Sequence, residues 1–434
     1  MFDYYVQLAL RSLWRNKILT ILMVVAIGIG IGASMTMLTV LHVMTGDPLP
    51  GRSAHLYRPY LNPLPIDYKM KPADLASGPT AALTWPDAKA LLDAHKGVHQ
   101  AAIAQGSLTA RSQDPNVHPE SVQGSFTTRG FFAIFGVPFL AGGSWSAQDD
   151  AQGTPVVVLS QKLAQHLFGT TAAVGKIAHL NKQAFQVVGV VQNWHPVPAF
   201  YAINAGFNDA DQFFLPVSTA IAMHFDTNWS NGWGDGDNSM TSPTTSWLQY
   251  WVQLDTPAQV TAYRRYLVNY SAQQKSLGRY QRPANDARLY GMRQWLNIED
   301  LIPSDVYLQT WLAVGFLIVC MVNIVALLLA KFLRRSGEIS VRRALGAKRR
   351  DIFQQFGIES AAIGLTGGLL GIGIAELGLW SVRQRPNDYA HLAHMDVGML
   401  VATVVLAILV SLLAGLLPAW RACHIAPAMQ LKVF

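Results

Sequence analysis

The residues best suited to recognise another molecule lie together in one run: Arg334-Arg335-Ser336-Gly337-Glu338-Ile339-Ser340-Val341-Arg342-Arg343-Ala344-Leu345-Gly346-Ala347. Read as a short helix, the run sets Arg342 and Arg343 beside the apolar Ile339, Ala344 and Leu345. Guanidinium groups flanking a small apolar patch suit a groove with an acidic rim on another protein. Anchoring to anionic lipid is the alternative, worth about 1 kcal/mol per basic group near the surface, and spacing alone does not separate the two. Bond-making chemistry has less support. No G-x-x-x-x-G-K-[ST], H-E-x-x-H or G-x-S-x-G occurs, so the phosphate cradle of a P-loop ATPase and two familiar hydrolase motifs are missing. The twelve His residues form no metal-ligand spacing, and His195, between Trp194 and Pro196, reads as a structural or surface residue. Asp235-Gly236-Asp237-Asn238 lacks the ligand spacing and closing Glu of a calcium loop, so it reads as a solvated turn and no metal is expected.

The elements that carry this run are apolar. Of 434 residues, 51% are hydrophobic and only 14% charged, against about 25% charged in ordinary soluble domains. Between Lys17 and Asp47 lie 29 residues without Asp, Glu, Lys or Arg, between Asp305 and Lys331 another 25, and between Asp396 and Arg421 another 24. At 1.5 Å per residue each suffices to cross a hydrocarbon core of roughly 30 Å. A further span, Ile352 to Val382, is interrupted by Glu359 and Glu376, with 16 uncharged residues between them. Glu376 sits near one end, within reach of the interface. The first span is too long for a signal-peptide core and reads as a retained helix. Two cysteines, Cys320 and Cys423, leave the polar middle of the chain without a disulfide framework.

The net charge of +7 is not a nucleic-acid signal, because residues 46 to 305 hold 18 basic against 19 acidic groups. The excess sits at the membrane flanks. Residues 331 to 350 carry eight basic groups, Lys331 among them, against the single acid Glu338, which makes that loop cytoplasmic by the positive-inside rule. Arg11, Arg15 and Lys17 place the N-terminus on the same side, and Arg421 and Lys432 the C-terminus. The expected architecture is an α-helical membrane protein of four transmembrane helices with a large α+β extracytoplasmic domain inserted between helices 1 and 2. The segments are a cytoplasmic amphipathic helix or span extension (1–17), spans at 18–45, 306–330, 352–382 and 397–420, the outer domain at 46–305, a coupling loop at 331–351, a short outer loop at 383–396, and a cytoplasmic tail at 421–434. Gly28, Gly30 and Gly32 remove side-chain bulk from the first span and suit either a dimer seam or packing within the chain, where Gly364, Gly367, Gly368, Gly371 and Gly373 offer a second small-residue face.

Within the outer domain, Val156 to Leu159, Phe185 to Val191 and Trp247 to Leu254 read as strands. Trp85 to Ala94 follows Thr84 as an N-cap, and Gln161 to Phe168 runs from the cap Ser160 to Gly169. Pro196 to Asn238, rich in Gly, Asn and aromatics, reads as long loops or an inserted lobe.

The 334–347 run closely resembles the signature of the MacB/FtsX-like permease family, E-I-x-[IV]-R-R-A-[LI]-G-A, with Ser340 where Gly is frequent. Leu10-Arg11-Ser12-Leu13-Trp14-Arg15-Asn16-Lys17 and Leu417-Pro418-Ala419-Trp420-Arg421-Ala422 extend the resemblance to both ends. Phe131 to Gly143, Pro155 to Ser160 and Gly175 to Val191 are similar to the family's periplasmic core domain, whereas residues 196 to 295 match nothing and are expected as an inserted lobe.

The resemblance implies a non-catalytic permease subunit of the bacterial inner membrane. Glu338, Ile339, Val341, Arg342, Arg343, Ala344, Leu345 and Gly346 would dock on a cytoplasmic P-loop ABC ATPase dimer that binds ATP and magnesium, leaving no cofactor in this chain. A second permease subunit, identical or related, is implied, with membrane lipid around it, no nucleic acid, and room for a periplasmic adaptor. The expected activity is mechanotransmission, in which ATP hydrolysis in a partner reshapes the outer domain to export or extract a substrate. Lipoprotein release from the inner membrane is an alternative within the family. Transmembrane signalling that activates a periplasmic enzyme or sensor is the alternative without transport.

Overall fold

In the computed structural model the described residues are 17–112, 118–202, 210–233, 239–300, 304–334, 346, 348–384 and 394–424. They cluster as two units, one from Met1–Thr45 with Ile302–Phe434 and the other Gly46–Leu301. The chain runs through α1 (Lys17–Thr45), a 3-10 turn at Ser53–His55, β1 (Leu56–Tyr60), β2 (Leu83–Thr84), α2 (Trp85–Asp93), β3 (Gln100–Arg111) and β4 (Glu120–Thr127). It continues with α3 (Gly130–Phe135), β5 (Phe139–Gly142), α4 (Ala147–Gln152), β6 (Val156–Ser160), α5 (Gln161–Phe168), β7 (Ile177–Leu180) and β8 (Gln183–Val191). Next come β9 (Phe213–Pro216), α6 (Val217–Ala222), β10 (Asn231–Gly232), β11 (Thr245–Gln253), α7 (Pro257–Ser276), β12 (Arg288–Gly291) and α8 (Met292–Glu299). The last three helices are α9 (Ser304–Arg334), α10 (Arg349–Arg383) and α11 (Val397–His424).

Among the described residues four helices are long and apolar enough to cross a membrane, over Lys17–Thr45, Val306–Lys331, Arg350–Arg383 and Val397–Gly415. Helix α1 packs against α9 and α10, and α11 closes the bundle against the same two. Small residues set the approach of α1 to α10. A methyl group on Gly28 would lie 2.8 Å from Leu370, one on Gly32 2.6 Å from Ile374, and one on Gly367 2.5 Å from Ile27, so each helix offers notches to the other's side chains. Gly30 faces Cys320 of α9 at 2.9 Å in the same sense. The small-residue face of α1 is thus filled by this chain's own helices, and a dimer seam through these three glycines has no room. Hydroxyls add cross-links: Ser34 Oγ donates to the Ala313 carbonyl at 3.0 Å and Thr36 Oγ1 to the Ala375 carbonyl at 3.3 Å.

The second unit is an α+β domain on one twelve-stranded sheet, ordered β12-β1-β11-β3-β4-β9-β6-β8-β5, with β2 and β10 beside β11, and β7 beside β3 and β8. Among the described residues only β4 with β9 and β6 with β8 pair in parallel. Both faces are covered. Along β3, Ala102 and Ala104 enter one core while Ala101 and Ile103 enter the other, and along β6, Val157 and Leu159 part from Val156 and Val158 in the same way. Period-2 alternation therefore separates two cores instead of core from water, which makes these strands continuously apolar.

Local signals hold where they stand alone. Thr84 Oγ1 accepts from the Asp87 N–H at 3.3 Å and Ser160 Oγ from the Leu163 N–H at 3.1 Å, capping α2 and α5, and α5 stops at Gly169 with φ +66°. The expected lobe over 196–295 is a correction: strand β9 lies between β4 and β6, β11 between β1 and β3, and β12 on the edge beside β1. That stretch supplies strands of the same sheet, pairing with partners much earlier in the chain.

Candidate functional site

The recognition run begins where α9 ends, at Arg334. Glu338, Ile339, Val341, Arg342, Arg343, Ala344 and Leu345 lie outside the described residues, as does the Asp235–Asn238 turn. What is described is the frame that holds the run. Gly346 stands in an exposed turn with φ +99°, a conformation that glycine adopts without penalty and other residues avoid. Two residues later the chain re-enters a helix: the Asp351 carboxylate accepts from the Lys348 N–H at 3.1 Å, satisfying a free donor of the first turn of α10. The run is thereby bounded by a helix end on one side and a glycine turn with a carboxylate-capped start on the other.

Those helices are joined by a contact that sequence reading missed. Lys331, on α9, pairs with Glu359, on α10, and their side chains are 0% and 1% exposed. Lys331, counted among the charges of the cytoplasmic loop, is instead inside the bundle. Removing two opposite charges from water is tolerated only when they meet, so the pair fastens the last turn of α9 to the body of α10. On the next residue, the Ser360 carbonyl accepts from Ser411 Oγ of α11 at 2.5 Å, and Gly415 leaves the space that Ser360 occupies. An acid inside one apolar span and a lysine at the edge of another were the available signal. Glu376, in contrast, is half exposed and accepts from Arg383 Nη2 at 2.5 Å, two turns along the same helix.

In the α+β domain an open cleft of about 690 Å³ lies between α2 and the 129–151 segment, with Trp85, His95, His99, Arg129 and Asp150 on its walls. Burial raises the Asp150 carboxyl, which accepts from Trp145 Nε1 at 2.8 Å and from the Arg129 N–H at 3.1 Å. Its groups carry both signs, so the cleft defines no single ligand chemistry. Among the described residues no cluster of three His, Cys, Asp or Glu side chains is placed to hold a metal ion.

A family model for the MacB-like periplasmic core domain matches residues 20–270, and one for the FtsX-like permease C-terminal region matches residues 311–427. The chain belongs to the MacB/FtsX-like permease family. This permease is 23% identical to "Uncharacterized ABC transporter permease YknZ" of Bacillus subtilis, over 98% of both chains. It is 22% identical to "Macrolide export ATP-binding/permease protein MacB" of Chlorobium luteolum over 99% of this chain and 60% of that one. With "Pyoverdine export ATP-binding/permease protein PvdT" of Pseudomonas entomophila the identity is 25%, covering 86% and 51%. The permease thus spans about half to three-fifths of these two relatives named for ATP binding. Among solved structures, the periplasmic region of MacB from Actinobacillus actinomycetemcomitans matches 57% of this chain and 94% of its own at 16% identity, with a TM-score of 0.36. The permease is a multi-pass membrane protein of the ABC transporter class, its α+β domain inserted between the first and second spans.

Proposed function

We propose that this permease works by mechanotransmission: a P-loop ATPase dimer hydrolyses ATP with magnesium in the cytoplasm, and the permease carries the resulting movement to its outer domain. The observation that carries the reading is the framed basic run, whose Glu338, Arg342 and Arg343 stand between two helices clamped by Lys331 and Glu359. Because a buried ion pair resists separation, a push on the run moves α9 and α10 together instead of splaying them. The absence of a P-loop motif from these 434 residues supports hydrolysis in a separate subunit, with this chain acting as the permease. The termini and the run face the cytoplasm of a bacterial inner membrane, by the distribution of Lys and Arg. Two permease subunits, identical or related, act in each complex, and the outer domains expel or extract a substrate, with an adaptor where export continues outward.

The test is recovery of partners. The tagged chain is purified from its native membrane in mild detergent, and stoichiometric partners are identified by mass spectrometry. The same is done with Glu338→Ala, Arg342→Ala and Arg343→Ala combined. A P-loop ATPase should accompany the native chain and be lost from the variant. Its absence from the native chain would leave the run as a lipid anchor and end the ABC-complex reading.

A further inference from the structure

One exposed stripe of α10 departs from what a helix facing hydrocarbon needs. Leu369, Gly373, Glu376, Leu377 and Trp380 recur at spacings of three and four, so they share a face of the helix, and all five are exposed. A methyl group added to Gly373 would meet nothing within 4 Å, whereas the space beside Gly364 is filled by α11 and that beside Gly367 by α1. Gly373 therefore leaves an open notch on the outer surface. Its neighbours one turn either way, Leu369 and Leu377, are bulky, so a second helix cannot approach there as it does along paired small residues. A single acyl chain fits between the two leucines.

Above the notch the stripe turns polar. A carboxylate on the outer face of a span is costly alone, and Glu376 accepts a hydrogen bond from Arg383 Nη2 at 2.5 Å. Arg383 Nη1 lies 3.4 Å from His394 Nδ1. Asp396, the next acid along the chain, is engaged elsewhere, its Oδ1 accepting from the Met399 N–H at 2.7 Å at the start of α11. Trp380 follows Glu359 by 21 residues, a rise of about 32 Å against a hydrocarbon core of roughly 30 Å. Trp380, with Glu376 one turn before it and Arg383 one turn after, thus stands at the opposite membrane edge from the Lys331–Glu359 pair, at the level where indoles and lipid headgroups meet.

We propose that this stripe is a phospholipid site selective for a primary-amine headgroup, with Arg383 taking the phosphate, Glu376 the ammonium, and one acyl chain lying over Gly373. A guanidinium matches phosphate oxygens in charge and in hydrogen-bond geometry. The carboxylate beside it rejects a purely anionic headgroup and rewards one whose cation has N–H bonds to donate. Phosphatidylethanolamine meets both requirements. Phosphatidylcholine has the same net charge without N–H donors, and phosphatidylglycerol has the phosphate without the cation.

The experiment is native mass spectrometry of the full chain in mild detergent, titrated separately with these three lipids carrying identical acyl chains. The native chain should bind phosphatidylethanolamine roughly five- to tenfold more tightly than either of the others, the worth of one charge-assisted hydrogen bond at an exposed site. In Glu376→Gln that lipid should fall to the level of phosphatidylcholine, which itself is unchanged. Arg383→Gln should weaken all three. Gly373→Leu should also weaken all three while leaving their ratios intact, because it displaces the chain and not the headgroup. Equal binding of the three lipids by the native chain overturns the site whether or not any variant folds, and phosphatidylglycerol binding as tightly as phosphatidylethanolamine overturns it too. A preference that persists in Glu376→Gln belongs to the general lipid shell and has the same effect. Oxidation of Gly373→Cys in native membranes should give no cross-linked pair of copies, and a cross-link would assign the stripe to a second subunit instead. No ATPase partner enters these measurements, so they stand apart from the outcome of partner recovery.

Discussion

Lys331 and Glu359 show how much rests on single side chains inside the bundle. Each is unaffordable alone: removing one partner of a buried pair leaves an uncompensated charge, a loss of about 3–5 kcal/mol. Lys331→Met or Glu359→Gln should therefore lower the thermal stability of the detergent-solubilised chain sharply. The combined Lys331→Met and Glu359→Met variant should recover most of it, because matched apolar groups replace an ion pair at little net loss. Reversal of both charges separates clamp from bulk: if the reversed pair is no more stable than either single variant, the ion pair is not what holds α9 to α10.

Helices and strands differ in how openly they declare themselves. The bundle is the open case, since long uncharged runs are visible by inspection, but the partner of each face is not. That Gly32 serves α10 and Gly30 serves α9 depends on rotation about an axis, which spacing leaves undetermined. Gly32→Val should force Ile374 aside and cost about 1–3 kcal/mol. The change Gly373→Ala, with open space around the new methyl, should be neutral by the same thermal measurement. If both changes are neutral, the α1–α10 contact is looser than its geometry. In the sheet, α2 and α5 were readable from their caps because a cap lies within four residues of what it satisfies. The β3–β4 hairpin, paired from Ile103↔Thr127 to Ala110↔Glu120, escaped notice because Ala101, Ala102, Ala104 and Gly106 lack the branched and aromatic character of obvious strands. The recognition run was found from its residue types, whereas the ion pair between its flanking helices, split over 28 residues of chain, needed the fold to bring it together.

At the scale of the whole molecule, the α+β domain owns both of its cores. Phe126, Leu159, Leu215 and Tyr250 fill one, and Phe131, Phe135, Phe214 and Trp251 fill the other, all from residues 46–301. A domain of that size with two covered sheet faces should fold without the spans. Expressed alone, residues 46–301 should be soluble and melt in one cooperative step by circular dichroism, and a non-cooperative melt would show that the spans complete the core. The order of strands has a consequence for biogenesis. Strand β1 finishes at Tyr60, yet its neighbours β11 and β12 finish at Gln253 and Gly291. At about 5–20 residues per second of synthesis, β1 waits on the order of 10–40 s for the strand that belongs beside it. Through that interval the nascent domain carries bare, sticky edges, so its survival depends on a chaperone-like shelter or on speed of delivery, and a ribosome that stalls before residue 253 releases a chain primed to aggregate.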